Sequence, residues 1–170
     1  MWFIKSLLLF FIFSGSSILG VMVADNYRNR TKELYELKKA FNFFKSRIQY
    51  TYEPLKDIFE QISKDIIEEN ISDIFLNAKN NLETLSAVDS WETAINNSRT
   101  SLKKNDIEII KNFGKILGQT DINGQINQTK LTLDFIENHI KNSEEEQAKN
   151  EKLYKTLGVI SGLGLVIILI

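Results

Sequence analysis

The chain has 170 residues, with 21 Lys and Arg against 22 Asp and Glu, one His and no Cys, for a formal net charge of -1. That balance gives no reason to expect nucleic acid, whose binding normally needs a basic face. The missing thiols exclude a disulfide framework, a thiolate metal site and a cysteine nucleophile.

The first element is apolar: "MWFIKSLLLFFIFSGSSILGVMVADNYRNR" carries no charge between Lys5 and Asp25, a run long enough to cross a bilayer. A secretory signal is the rival, with Lys5 and residues 7–13 as its charged and apolar regions, and it predicts a mature chain starting near Asp25. The cleavage site is poor, because Met22 stands two before Ala24 where a small residue is needed. The apolar stretch also continues through Ile18, Leu19, Val21, Met22 and Val23. We therefore expect a retained transmembrane helix over residues 1–26.

After Arg30, residues Leu34, Leu37, Phe41, Phe44 and Ile48 step by three and four, which places them on one helix face. Ala40 and Phe43 widen it. Pro54, the one proline, suits the first turn of a second helix, where its missing N–H costs nothing. That helix carries Leu55, Ile58, Phe59, Ile62 and Ile66, and a third carries Ile71, Ile74, Phe75, Ala78 and Leu82. Polar joints are expected around Asn70 and residues 84–87. Ser86 with Asp89 reads as a loose capping box opening a short helix through Val88, Trp91, Ala94 and Ile95. "NNSRTSLKKN" is a loop, after which Asn105 or Asp106 is expected to cap a helix bearing Ile107, Ile110, Phe113, Ile116 and Leu117. Gly118 stands where a left-handed C-terminal residue is cheapest. A last helix is predicted from Thr120 or Asp121 through Ile122, Ile126, Leu133, Ile136, Ile140 and Leu153. Its segment from Lys141 to Lys152 is nearly all polar, and Glu144 to Glu151 reads as a solvated arm.

"YKTLGVISGLGLVIILI" closes the chain with a run that is apolar on every face. Residues 157–170 give about 21 Å of helix, short of the roughly 30 Å hydrocarbon core. Counting from Leu153 gives about 27 Å, with Lys152 and Lys155 snorkelling and Tyr154 at the interface. A second transmembrane helix is expected over 153–170. Basic residues Arg28, Arg30, Lys32, Lys38 and Lys39 follow the first span, and Lys141, Lys149, Lys152 and Lys155 precede the second. By the positive-inside rule, residues 27–152 are a cytoplasmic domain. Gly158 and Gly162, with Gly164 beyond, have the close-packing spacing for helices in lipid, and Ser16 and Gly20 offer a small face on the first span. Such a contact fits equally within one chain or between copies of a homo-oligomer.

Motifs for chemistry are missing: no phosphate loop, no HExxH, no GxSxG and no His cluster. His139 has no partner visible in sequence and reads as an ordinary boundary histidine. Glu144, Glu145 and Glu146 diverge in direction on a helix and read as a solvated face rather than a cation site. Trp91, Phe43 and Phe44 read as core. The expectation is no enzyme, no cofactor and no metal.

Several stretches together resemble the stage III sporulation protein AB family, over nearly the whole chain. They are "YRNRTKEL", "RIQY" followed by Pro54 and Leu55, "WETAI" at 91–95, "FGKILGQTD" with Gln125, and "NEKLYKTLGVISGLGLVIILI". The chain departs from the family at Arg47, where a carboxylate is expected, at Thr31, where proline is common, and at Gly124. The resemblance implies an all-α fold, a bundle of about five to six helices like the cytoplasmic domain of type II secretion F-platform proteins, held between two membrane helices. It implies a sporulation channel component in the mother-cell membrane around the forespore, with a secretion-type ATPase and other channel components as partners. Tyr50, Pro54, Trp91, Gly118, Asp121 and Gln125 become candidate partner or fold-motif residues. The contrasting reading is a ligand-sensing helical domain facing outside the cell, which the placement of basic residues opposes.

Overall fold

A computed structural model describes residues 2–51, 53–118 and 121–169. It contains helices α1 (Trp2–Tyr50), α2 (Leu55–Asp65), α3 (Glu69–Asn81), α4 (Ala87–Asn96), α5 (Lys104–Gly114) and α6 (Ile122–Leu169), with no strand among the described residues. The fold is all-α, as expected. The chain divides into two compact units, one formed by Met1–Thr31 with Asn142–Ile170 and the other by Lys32–Lys141.

The second unit is a bundle built on the predicted stripes. Leu34, Leu37, Phe41, Phe44 and Ile48 of α1 are buried with Ile58, Phe59 and Ile62 of α2, Ile71, Ile74, Phe75 and Ala78 of α3, and Ile136 and Ile140 of α6. Trp91 of α4 is fully buried at the centre, its ring 5.2 Å from Phe75, 5.5 Å from Phe59 and 5.5 Å from Phe113. Such ring pairs contribute about 0.5 to 1.5 kcal/mol each beyond the area they bury. The indole N–H donates to the Ile110 carbonyl at 2.7 Å, so the one polar atom of the ring is satisfied inside the core.

Helix ends follow local chemistry, with two differences from expectation. Ser86 caps α4, its hydroxyl accepting the Asp89 N–H at 3.1 Å, and Asp121 holds the start of α6 by accepting the Gly124 N–H at 2.8 Å. Thr120, the alternative cap, lies outside the described residues. The joint between α2 and α3 falls at residues 66–68 rather than at Asn70, because Ile66 turns to extended backbone. There α1 serves the break: Glu36 accepts the Ile67 N–H at 2.9 Å and Lys39 donates to the Asp65 carbonyl. Neither Asn105 nor Asp106 is the α5 cap residue. Lys103 occupies that position and the Asp106 carboxylate, three residues on, accepts its N–H at 2.8 Å.

Two carboxylates are buried in this unit. Glu33 accepts from Asn70 Nδ2 at 3.1 Å and from the Ser101 N–H at 2.8 Å, tying α1 to α3 and to the loop before α5. Burial pushes its carboxyl above the usual range, against the lowering effect of those donors. Asp106 also meets His139 Nδ1, so the boundary histidine has the partner that sequence could not show.

The first unit pairs the two ends of the chain. Both terminal helices are long and apolar enough to cross a membrane, and their apolar side chains stay largely uncovered, with Phe3 83% and Ile168 80% exposed. The polar stretch from Glu144 to Glu151 is helix whose side chains are exposed or half-buried, as expected of a solvated segment, but it is tied to α1 where Glu146 receives Arg30 Nη1 at 2.7 Å. Arg30 is 7% exposed in its side chain, and a buried guanidinium is tolerated only opposite a carboxylate, which fixes the facing of the two helices. Tyr27 and Tyr154 stack at 5.8 Å one turn below.

Candidate partner-binding site

A recess of about 190 Å³ opens in the bundle unit where α1 ends, α2 starts and α6 starts. Its walls are Ile48, Glu53, Leu55, Ile58, Gly118, Ile122 and Gln125. The local chain explains why these meet. Pro54 ends the α1–α2 joint as the cap residue of α2, its carbonyl accepting the Asp57 and Ile58 N–H groups of the first turn. Gly118, at φ +72°, reverses the chain between α5 and α6. Asp121 then starts α6 so that Gln125 lies one turn inside, its carbonyl accepting Thr129 Oγ1 at 2.6 Å.

The sequence-derived candidates divide accordingly. Gly118 and Gln125 line the recess, Pro54 and Asp121 sit exposed at the helix starts beside lining residues, and Tyr50 at the end of α1 is 72% exposed. Trp91 is fully buried at the core centre and does not line it. Sequence reasoning missed Glu53, which accepts Arg47 Nη1 at 3.1 Å on one oxygen and Gln61 Nε2 at 2.9 Å on the other. The guanidinium of Arg47 also stands 4.8 Å over the Phe43 ring. Glu53 lies six residues from Arg47 across a helix break, where no periodic signal links them. Gly114 was missed as well, although it sits in the quoted "FGKILGQTD": a Cβ on it would come within 3.0 Å of Trp91 Cγ.

In the terminal unit, the four small residues lie in one contact. Ser16 Oγ donates to the Gly158 carbonyl at 2.8 Å and lies 2.8 Å from Ser161 Oγ. A Cβ on Gly20 would stand 2.8 Å from Gly158 Cα and 2.6 Å from the Tyr154 carbonyl, and one on Gly162 would stand 3.1 Å from the Phe13 ring. Backbone approach at this distance is open only to glycine. Among the described residues, no cluster of three His, Cys, Asp or Glu is arranged to hold a metal ion.

Residues 5–170 match the family described as Stage III sporulation protein AB (spore_III_AB). The chain belongs to the stage III sporulation protein AB family. It is 32% identical over 163 residues to the Stage III sporulation protein AB of Bacillus subtilis (strain 168), covering 94% of this chain and 95% of that one. A solved structure of Stage III sporulation protein AB (SpoIIIAB) superposes with a TM-score of 0.66 at 28% identity, covering 71% of this chain and 98% of that chain. Membership makes this a sporulation protein, in a family whose fold is the helical bundle described above.

Proposed function

We propose that the chain is a non-enzymatic membrane scaffold of the sporulation channel or a secretion-like complex between mother cell and forespore. Residues 27–152 face the mother-cell cytoplasm and join a secretion-type ATPase to the other membrane components, between transmembrane helices at 1–26 and 153–170. The observation that carries this reading is the convergence of Gly118, Gln125, Glu53 and Leu55 on one recess, in a chain with two membrane-length helices. A small apolar floor with a fixed carboxylate at its edge has the make-up of a protein-docking pocket. The basic residues flanking both spans support the cytoplasmic placement.

The chain has no cysteine, so Asn97→Cys, exposed just past the end of α4, provides a single thiol. An impermeant maleimide should label it only after lysis of sporulating cells, and Tyr50→Ala should reduce co-purification of the ATPase. Labelling of intact cells would invert the topology and sink the reading. We further propose that Ser16, Gly20, Gly158 and Gly162 join the two spans of one chain rather than two copies, since each opposes a residue of the other helix in the same molecule.

A further inference from the structure

Between α1 and α6 in the terminal unit runs an open cleft of about 590 Å³, lined by Thr31 on one side and by Glu144, Gln147, Glu151, Lys152, Lys155 and Thr156 on the other. The recess of the bundle unit plays no part in it. The cleft begins where the apolar run of α6 begins, and Tyr27 and Tyr154 stack at that level as interfacial aromatics do. From Lys155 to Glu144 it extends eleven residues, about 16 Å at 1.5 Å per residue, away from the apolar segment.

The charges along it are ordered. Lys152 and Lys155 stand nearest the apolar run, and Gln147 and Glu144 farther out. Glu151 braces the middle, holding Lys155 Nζ at 2.7 Å with one oxygen and Gln147 Nε2 at 3.0 Å with the other. Those two hydrogen bonds, Lys155 first, hold its carboxyl below the usual range, with Arg28 adding to the effect. Arg28 lies one turn before Thr31 on α1. Its Nη2 pairs with Asp25, while its buried Nε finds no hydrogen-bond partner among the described residues. Cations toward the hydrocarbon and a carboxylate beyond them mirror a zwitterionic lipid headgroup, whose phosphate lies next to the acyl chains and whose ammonium lies outside it. A purely anionic headgroup would bring no cation to Glu144, at the end of the cleft away from the lysines.

We propose that this cleft is a headgroup site for a phospholipid bearing a primary ammonium, of phosphatidylethanolamine chemistry, with its phosphate at Lys152, Lys155 and Thr156 and its ammonium toward Gln147 and Glu144. A trimethylated ammonium has no N–H to donate, so phosphatidylcholine is the weaker ligand.

The full chain is reconstituted into phosphatidylcholine vesicles containing either phosphatidylethanolamine or phosphatidylglycerol, re-extracted in mild detergent, and its retained lipid weighed by native mass spectrometry. Phosphatidylethanolamine should be enriched roughly fivefold over phosphatidylcholine, the scale of one charge-assisted contact. Lys152→Glu should abolish the enrichment, and Glu144→Lys should turn the preference to phosphatidylglycerol. Both positions are exposed, so neither variant threatens the fold. Equal retention of all three lipids, a wild-type preference for phosphatidylglycerol, or enrichment unchanged in both variants would overturn the site. Release of the chain by alkaline carbonate would overturn it too, because a headgroup site needs an embedded protein.

Discussion

Gly114 and Trp91 compete for the same space: a Cβ on Gly114 would lie within 3.1 Å of Trp91 Nε1 and 3.0 Å of Cγ, with Cδ1 nearer still. The glycine lets α5 approach the indole, which in turn anchors Ile110 one turn earlier by its hydrogen bond. Gly114→Ala should therefore destabilise the full chain in detergent by about 1 to 3 kcal/mol, the usual cost of overpacking. Trp91→Phe should cost a similar amount by stranding the Ile110 carbonyl. Gly15→Ala, with nothing within 4 Å, is the control and should be near neutral. Thermal unfolding followed by circular dichroism separates the three.

Glu33 gives stability a pH dependence of unusual sign. Its folded carboxyl sits above its ordinary value, so the folded state holds the proton more tightly than the unfolded chain. Its contribution is fully present below the unfolded value and is lost as pH rises through the folded one. Wild type should therefore gain on Glu33→Gln as pH falls from neutral toward the ordinary carboxylate range. Parallel denaturation midpoints for the two proteins across that window would show that Glu33 is not the source.

For Gly118 the cost of a side chain is conformational. A Cβ there would meet only Ala87 Cβ, at an ordinary 3.7 Å, but φ is +72°. Gly118→Ala should cost about 1 to 2 kcal/mol. Gly118→Asn should cost less, since Asn tolerates the left-handed region. If Gly118→Asn folds normally yet no longer co-purifies with the proposed ATPase partner, the recess binds a partner; if co-purification is unchanged, the glycine serves the turn alone.

The pairing of the spans is open to a direct chemical test. Ser16→Cys with Ser161→Cys puts two thiols where two hydroxyls lie 2.8 Å apart in a chain with no native cysteine. Oxidation should give a faster-migrating monomer on denaturing gels, and Gly158→Leu should suppress it. A disulfide-linked dimer instead would assign the contact to two copies.

Across the first unit, Arg30 and Glu146 should couple by roughly 0.5 to 3 kcal/mol in a double-mutant cycle, because Arg30 is nearly buried. Arg30→Ala alone should exceed Glu146→Ala in cost, since Arg30 carries more buried surface. Equal, additive losses would mean the two side chains do not act as a pair.

Much of the bundle was legible in the chain because burial on a helix imposes a period. The stripes through Leu34–Ile48, Ile58–Ile62 and Ile71–Ala78 mark the faces that the structure buries. Local chemistry also placed the Ser86 cap and the left-handed Gly118, since both depend on residues a few positions apart. The family was legible for a related reason: its motifs are short contiguous runs, "FGKILGQTD" among them.

What the tertiary structure alone decided are the relationships that no helical period links. His139 with Asp106, Arg47 with Glu53 across a helix break, and Arg30 with Glu146 carry no periodic signature, because charge pairing depends on distance in space and not on spacing in sequence. The segment from Glu144 to Glu151 reads as solvated by composition, and its side chains are exposed or half-buried. Only the structure shows that Glu146 within it meets a buried guanidinium more than a hundred residues away, a need that appears only once the two helices lie side by side.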